Sequence, residues 1–222
     1  MANVLEVRHL NSYYRQDHSI LRAKKERRQV LHDISFDIAE GEIVGLVGES
    51  GCGKTTLSRT ILGMVGDYDG EIIHHSQRPQ MVFQDPYSSL NPARSIGWIL
   101  EEPLRIQGKL SAPERRQAVI ALLEQVGLGA EFLTRKPHEL SGGEMQRFCI
   151  ARALGAHPSY LIADEVSTML DAVTQAQIWR ALVAEAEARA MGLIFVSHSP
   201  ALAFRLATRV VELPAVPGAV RG

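Results

Sequence analysis

Cysteine is scarce in this chain: Cys52 and Cys149 are the only two, and their spacing fits no metal-ligand pattern. That usage is what a chain kept in a reducing compartment shows, and it excludes a disulfide-stapled scaffold. Long apolar runs are missing as well. A spanning helix needs about 20 consecutive apolar residues, whereas stretches such as Ala118 to Leu123 stop after a few. The N-terminus, "MANVLEVRHL", lacks the charged-then-apolar layout of a secretory signal. Net charge is nearly absent too, at −1, which gives no support to bulk nucleic-acid binding. No internal repeat is visible. What remains is a soluble, cytosolic chain of 222 residues, 45% hydrophobic, long enough to bury the core of one domain with an inserted subdomain.

The order of local patterns supplies a fold class. "VLEVRHL" and "VLHDISFDI" alternate as strands do, and "AEGE" closes the second with a turn. Between them "LRAKKERRQ" carries five basic residues, read as the solvated tip of a hairpin. A buried strand, Ile43 to Val47, leads into a glycine-rich stretch and a helix from about Lys54. A second strand pair is expected at Glu71 to His75 and Gln80 to Phe83. "SIGWILEEPLRIQG", "APERRQAVIALLEQVGL" and "SGGEMQRFCIARALGAHP" then have the period of amphipathic helices. Strands return at "YLIAD" and "GLIFVSH", separated by the helical "DAVTQAQIWRALVAEAEARA". Strands alternating with helices in both halves argue for a parallel α/β core. The expected layout is one domain over 1–222: a core from 1–93 and 155–213, a helical insertion over 94–154, and a loose tail over 214–222.

"GESGCGKTT", Gly48 to Thr56, follows a strand and opens a helix. Gly48, Gly53, Lys54 and Thr55 fit G-x-x-x-x-G-K-[ST]. Glycine tolerates positive φ, so such a loop can curl until its backbone N–H groups point at phosphate oxygens, and the helix N-terminus adds partial positive charge. Lys54 is placed to reach the β and γ phosphates and the Thr55 hydroxyl to ligate Mg²⁺. A triphosphate with its metal needs a second anchor and a group that orients water. "YLIADE" offers Asp164 for the metal shell and Glu165 for the water at the carboxyl end of an apolar strand, where a parallel sheet faces its ligand. His198 ends another such strand and is a candidate for contact with the γ-phosphate. The adjacent His74 and His75 suggest a metal, but two histidines leaving a strand read better as surface residues.

"LSGGEMQR", Leu140 to Arg147, precedes the Asp164 strand; Gln84 follows "MVF"; Tyr14 lies near the start. Together with the glycine loop, these motifs resemble the nucleotide-binding subunits of ABC transporters, in the order that family keeps. The resemblance implies an α/β fold: a P-loop NTPase core, in which a parallel sheet carries an N-terminal antiparallel β subdomain, plus an inserted helical subdomain of the ABC ATPase type. It implies ATP with Mg²⁺. By position, Tyr14 matches the aromatic that stacks on adenine; Gly48, Glu49, Ser50, Gly51, Cys52, Gly53, Lys54, Thr55 and Thr56 the phosphate loop; and Gln84 the glutamine that senses metal and permease. Ser141, Gly142, Gly143 and Glu144 match the signature, Asp164 and Glu165 the Walker B pair, Asp171 the D-loop and His198 the switch histidine. Ser141 to Gly143 open a helix and so offer free N–H groups to an anion. The family implies that this anion is the γ-phosphate held by the opposite subunit of a dimer.

"FQDPYSSLNPARSIGWILEEPL" and "LDAVTQAQIW" are similar to the dipeptide, oligopeptide and nickel importer branch. That branch implies a second ATPase subunit, two transmembrane permeases and an extracytoplasmic substrate-binding protein, with the cassette peripheral on the cytoplasmic face of the membrane. Nucleic acid is not expected as a partner. The sequence departs from the family at Val166, where proline is usual, at "STMLD", at Glu144 in place of glutamine, and at Ser199 in place of aspartate. It also ends soon after the last strand, without the branch's usual C-terminal extension. Two rival readings are a soluble ABC ATPase without a permease, acting in DNA repair or translation, and a regulatory cassette with weak hydrolysis. The first usually brings coiled-coil insertions or tandem cassettes, and the second contends with an intact Lys54, Asp164, Glu165 and His198.

Overall fold

The computed structural model describes residues 2–16, 26–76, 79–87, 90–166, 170–197 and 199–214. Two sheets share the chain. β1 (Asn3–Gln16) lies between β2 (Glu26–Ala39) and β4 (Tyr68–His74), antiparallel to both. The second sheet is wholly parallel, in the order β5-β6-β7-β3-β8, from β3 (Ile43–Val47), β5 (Gln80–Val82), β6 (Tyr160–Asp164), β7 (Gly192–Val196) and β8 (Arg209–Glu212). β6 and β7 are buried along their whole length, which is why both read as unbroken apolar runs rather than alternating ones.

Successive side chains of these strands feed opposite faces. Ile162 and Ile194 join Val44 and Leu46 under the antiparallel sheet, packed with Leu57 and Ile61 of α1 (Lys54–Ile61) and with Leu5, Leu10 and Ile38. Leu161, Leu193 and Phe195 point the other way, toward α5 (Ala172–Arg189) and α6 (Pro200–Leu206). There Trp179 meets Phe195 with ring centroids 5.1 Å apart and the rings tilted. The same apolar cluster continues into α2 (Ile96–Gln107), α3 (Ala112–Gln125) and α4 (Gly142–Gly155) through Leu100, Leu123 and Phe148.

Helix ends follow from local chemistry. Ser95 caps α2 by accepting from the Trp98 N–H at 3.3 Å, and Gly108 ends it at φ 66°, a left-handed conformation costly for any residue with a Cβ. Asp171 caps α5 by accepting from the Val173 and Thr174 N–H groups, both at 3.0 Å. Arg209, on edge strand β8, ties the layers together: its guanidinium donates to Glu42 at 2.7 Å and to the Asp37 carbonyl at 2.5 Å. Burial alone would raise the Glu42 pKa, but Arg209 and the Ala39 N–H bring it below its ordinary value.

Two expectations need correction. β1 and β2 are each 14 residues long, well beyond the alternating stretches, because pairing extends into polar residues such as Asn11 and Gln29, which bond each other at 2.8 Å. The strands expected at 71–75 and 80–83 are not a pair. β4 joins β1, whereas β5 starts the parallel sheet against β6. Alternation shows that a short segment is a strand; it does not show which edge the strand will meet. The basic stretch over 21–29 lies largely, and the tail over 215–222 wholly, outside the described residues.

Candidate functional site

β3 ends at Val47 and the chain turns through Gly48–Gly53 into α1. Gly48 is required by crowding, since a Cβ there would sit 2.6 Å from Cys52 Sγ. Gly53 is required twice over: its φ is 98°, and a Cβ would lie 2.7 Å from Leu31 Cδ2. No side chain caps α1 and no acidic residue occupies its first turn, so the positive end of the helix faces the cleft uncompensated. Lys54 is buried, and its ammonium donates to the carbonyls of Gly48 at 2.8 Å and Glu49 at 3.0 Å, which holds the loop in its curl.

Together these residues wall a cleft of about 390 Å³, lined by Ser50, Gly51, Gly53, Lys54, Thr55 and Thr56 on one side and by Gln84 and Glu165 on the other. Val30 lines it too. β1 advances one residue from Ser12 to Tyr13 while β2 advances two, from Leu31 to Gln29. The extra residue is Val30, so a β-bulge supplies this wall. Nothing in the alternation of the sequence marks it.

At the carboxyl end of β6, Asp164 is almost wholly buried and its Oδ1 has no hydrogen-bond partner. Burial raises its pKa, and the Thr55 hydroxyl, as a donor, offsets part of that rise. Glu165 follows at φ 52°, a left-handed conformation that glutamate seldom adopts, and accepts from Gln84 Nε2 at 3.0 Å. Val166 is buried behind it. A hydroxyl and a buried carboxylate oxygen without a partner are the hard oxygen donors that suit Mg²⁺, so the residues present fit the metal.

The Gln84 turn is clamped onto α4. Gln146, itself buried, donates to the Phe83 carbonyl at 3.3 Å; Cys149 Sγ lies 3.7 Å from the Pro86 carbonyl; and the Tyr87 hydroxyl donates to the Leu140 carbonyl at 3.4 Å. Gln146 and Tyr87 fall inside stretches quoted above, "LSGGEMQR" and "FQDPYSSLNP", but nothing in those motifs shows that they hold this turn, and Cys149 lies in no motif. Ser141 caps α4 itself, one residue past the carbonyl that Tyr87 holds.

The structure brings Ser50, Gly51, Gly53, Lys54, Thr55, Thr56, Gln84 and Glu165 to one cleft, with Asp164 beside Thr55. Ser141, Gly142, Gly143, Glu144 and Asp171 do not line it. Nor does Tyr14, which is exposed on β1 opposite Arg28, two positions along β2 from Val30. Its neighbour Tyr13 is occupied beneath the Arg27 guanidinium, 4.1 Å from the ring centroid. His198 lies outside the described residues. His74 and His75 diverge: Nδ1 of the first meets the Tyr160 hydroxyl and Nε2 of the second meets Glu6, both at 2.9 Å. No cluster of metal-binding side chains occurs among the described residues.

A family model described as ABC transporter matches residues 31–168, more than half of the chain. The chain belongs to the ABC transporter family. Among relatives, the oligopeptide transport ATP-binding protein OppF of Haemophilus influenzae is 40% identical over 228 residues, covering 95% of this chain and 69% of OppF. The dipeptide transport ATP-binding protein DppF of the same organism is 38% identical over 206 residues, covering 86% of this chain and 63% of DppF. The chain thus spans about two-thirds of the length of these two ABC proteins. Among solved structures, the dimeric post-hydrolysis state of the ATP-binding cassette MJ0796 bound to ADP and Pi superposes with a TM-score of 0.80 at 27% identity over 94% of each chain. As an ABC family member the chain is an ATP-binding cassette of the ATPase class, and its two sheets and helices form the cassette fold. No helix among the described residues is long and apolar enough to cross a membrane.

Proposed function

We propose that this chain is the ATP-hydrolysing subunit that powers a membrane importer of short peptides. The observation that carries the reading is the convergence of Lys54, Thr55, Asp164, Gln84 and Glu165 on the loop at the N-terminus of α1. Lys54 releases the Gly48 and Glu49 carbonyls to meet the β and γ phosphates, and the amides of Gly51, Gly53 and the first turn of α1 hold the remaining phosphate oxygens. When bound, Mg²⁺ neutralises charge on those oxygens, with Thr55, Asp164 and Gln84 as its protein contacts. Glu165 orients the attacking water and takes its proton as the γ-phosphoryl group passes from ADP to water. Gln84 leaves Glu165 to allow this. Tyr14 stacks on adenine from the rim, His198 steadies the γ-phosphate, and Ser141 to Glu144 with Asp171 serve the nucleotide of a facing chain.

The names of the relatives favour peptides over nickel chelates as cargo. The branch they belong to supports the remaining partners: a second cassette, two permeases and a substrate-binding protein, with this chain peripheral on the cytoplasmic face. Nothing in the fold favours a permease-free ATPase. The test co-purifies the chain with its permeases in lipid vesicles and identifies the bound solute. Peptide-stimulated ATP turnover, lost in Lys54→Ala, is the expected result. Turnover indifferent to peptide, or a chain that retains no permease, overturns the importer reading.

A further inference from the structure

The N-terminus of α4 already holds an anion of its own. Glu144 folds back so that one carboxylate oxygen accepts from the Ser141 N–H at 2.8 Å and from the Ser141 hydroxyl at 2.9 Å. The hydroxyl in turn accepts from the Glu144 N–H at 3.3 Å. A hydroxyl has a single proton, so while Ser141 donates to Glu144 it has none for a second acceptor. The same Ser–Glu pairing occurs at α3, where Ser111 bonds Glu114 at 2.6–2.7 Å far from any nucleotide motif. There it is a helix cap and nothing more. In α4 it falls on the serine assigned above to the phosphate of the facing chain. Arg135 and Arg147 favour the Glu144 charge from nearby, but among the described residues neither pairs with it directly: Arg147 is spent on the Gly143 and Gly127 carbonyls, and Arg135 lies over the Phe132 ring.

We infer that Glu144 is a built-in competitor, whose carboxylate occupies Ser141 in the free chain and must give way before the signature can take a γ-phosphate from the opposite cassette. The inference rests on the reading of Ser141–Gly143 as an anion site acting across a dimer. Two routes to closure exist, and both are uphill. Either the hydroxyl turns to the phosphate and leaves two anions a few ångströms apart, or Glu144 swings out and abandons the cap. Glutamine at this position keeps the cap's acceptor oxygen without the charge. The departure at Glu144 therefore sets the nucleotide concentration at which two cassettes close.

The test uses Glu165→Gln protein, in which hydrolysis is slowed, and follows its dimer fraction by sedimentation across an ATP titration. Glu144→Gln added to it is expected to lower the half-maximal ATP concentration by about three- to tenfold, the order expected for removing one like charge near a partly screened site. Glu114→Gln, the matching change at the α3 cap, is expected to leave the titration where it was. A role confined to capping predicts that neither change favours dimerisation. An unchanged or higher half-maximal concentration in Glu144→Gln overturns the inference and spares the dimer reading. Failure of Glu165→Gln itself to dimerise at saturating ATP, with binding verified, removes the dimer reading and the inference with it.

Discussion

Asp164 carries a cost at the scale of one side chain, because burial disfavours the charged form of its carboxylate and one oxygen has no hydrogen-bond partner. Asp164→Asn is therefore expected to raise the melting temperature of the free chain by roughly 2–4 °C, the value of about 1 kcal/mol at this size, while abolishing Mg²⁺-dependent ATP turnover. The sign of the pH effect follows from the raised pKa. Stability from this group is fully present below its unfolded value near 4 and is lost as pH rises through the folded value. Scanning calorimetry of parent and Asp164→Asn from acid to neutral pH should show the gap widening as pH rises; a constant gap removes the electrostatic account. Glu165 differs, since it already has Gln84 as a partner. Glu165→Gln should bind ATP with unchanged affinity and hydrolyse it about 10²–10³-fold more slowly, the size of a lost general base or positioning group. Normal turnover in that variant would move the base to another residue.

Between elements, the clamp on the Gln84 turn makes α4 and the cleft one mechanical unit. Gln146→Leu keeps the bulk in the core but orphans the Phe83 carbonyl, which costs about 1–3 kcal/mol. If the clamp positions Gln84, kcat for ATP falls severalfold while KM hardly moves, since the phosphate loop is untouched. Equal changes in both constants would mark Gln146 as a packing residue only. The clamp also shows where legibility ended. Lys54, Thr55, Asp164 and Glu165 could be read from sequence because their chemistry demands fixed residue types at fixed spacing beside a strand. Gln146, Cys149 and Tyr87 act through backbone carbonyls, which any residue can present, so even the motifs that contain Gln146 and Tyr87 do not reveal these contacts. Val30 enters the cleft through a bulge, a slip of one residue in a 14-residue pairing that alternation cannot record. The fold class was legible for the same reason as the site: buried parallel strands and capped helices leave composition signals, whereas the partner of a short strand such as β5 depends on tertiary contacts.

At the scale of the whole molecule, on the function proposed above, one chain provides two half-sites that do not meet. The cleft gathers the phosphate loop, Gln84 and Glu165, while Ser141 to Glu144 stand apart from it at the head of α4. A head-to-tail pair of cassettes would bring each half-site to its complement, and the solved relative with ADP and Pi is described as dimeric. Two bound triphosphates repel, so such a pair should be weak and dependent on nucleotide, and the isolated chain should hydrolyse ATP poorly. Mixing two inactive variants decides whether the halves act across an interface. Lys54→Ala lacks a working phosphate loop; Ser141→Arg lacks a working signature. In a mixed dimer, one composite site combines the phosphate loop of the Ser141→Arg chain with the signature of the Lys54→Ala chain, and both are intact. With random pairing, half of the dimers are mixed and each has one good site of two, so activity should return to about a quarter of the parental level if the sites fire independently. A mixture shown to contain mixed dimers yet no more active than either variant alone would mean that Ser141 serves the cleft of its own chain or none.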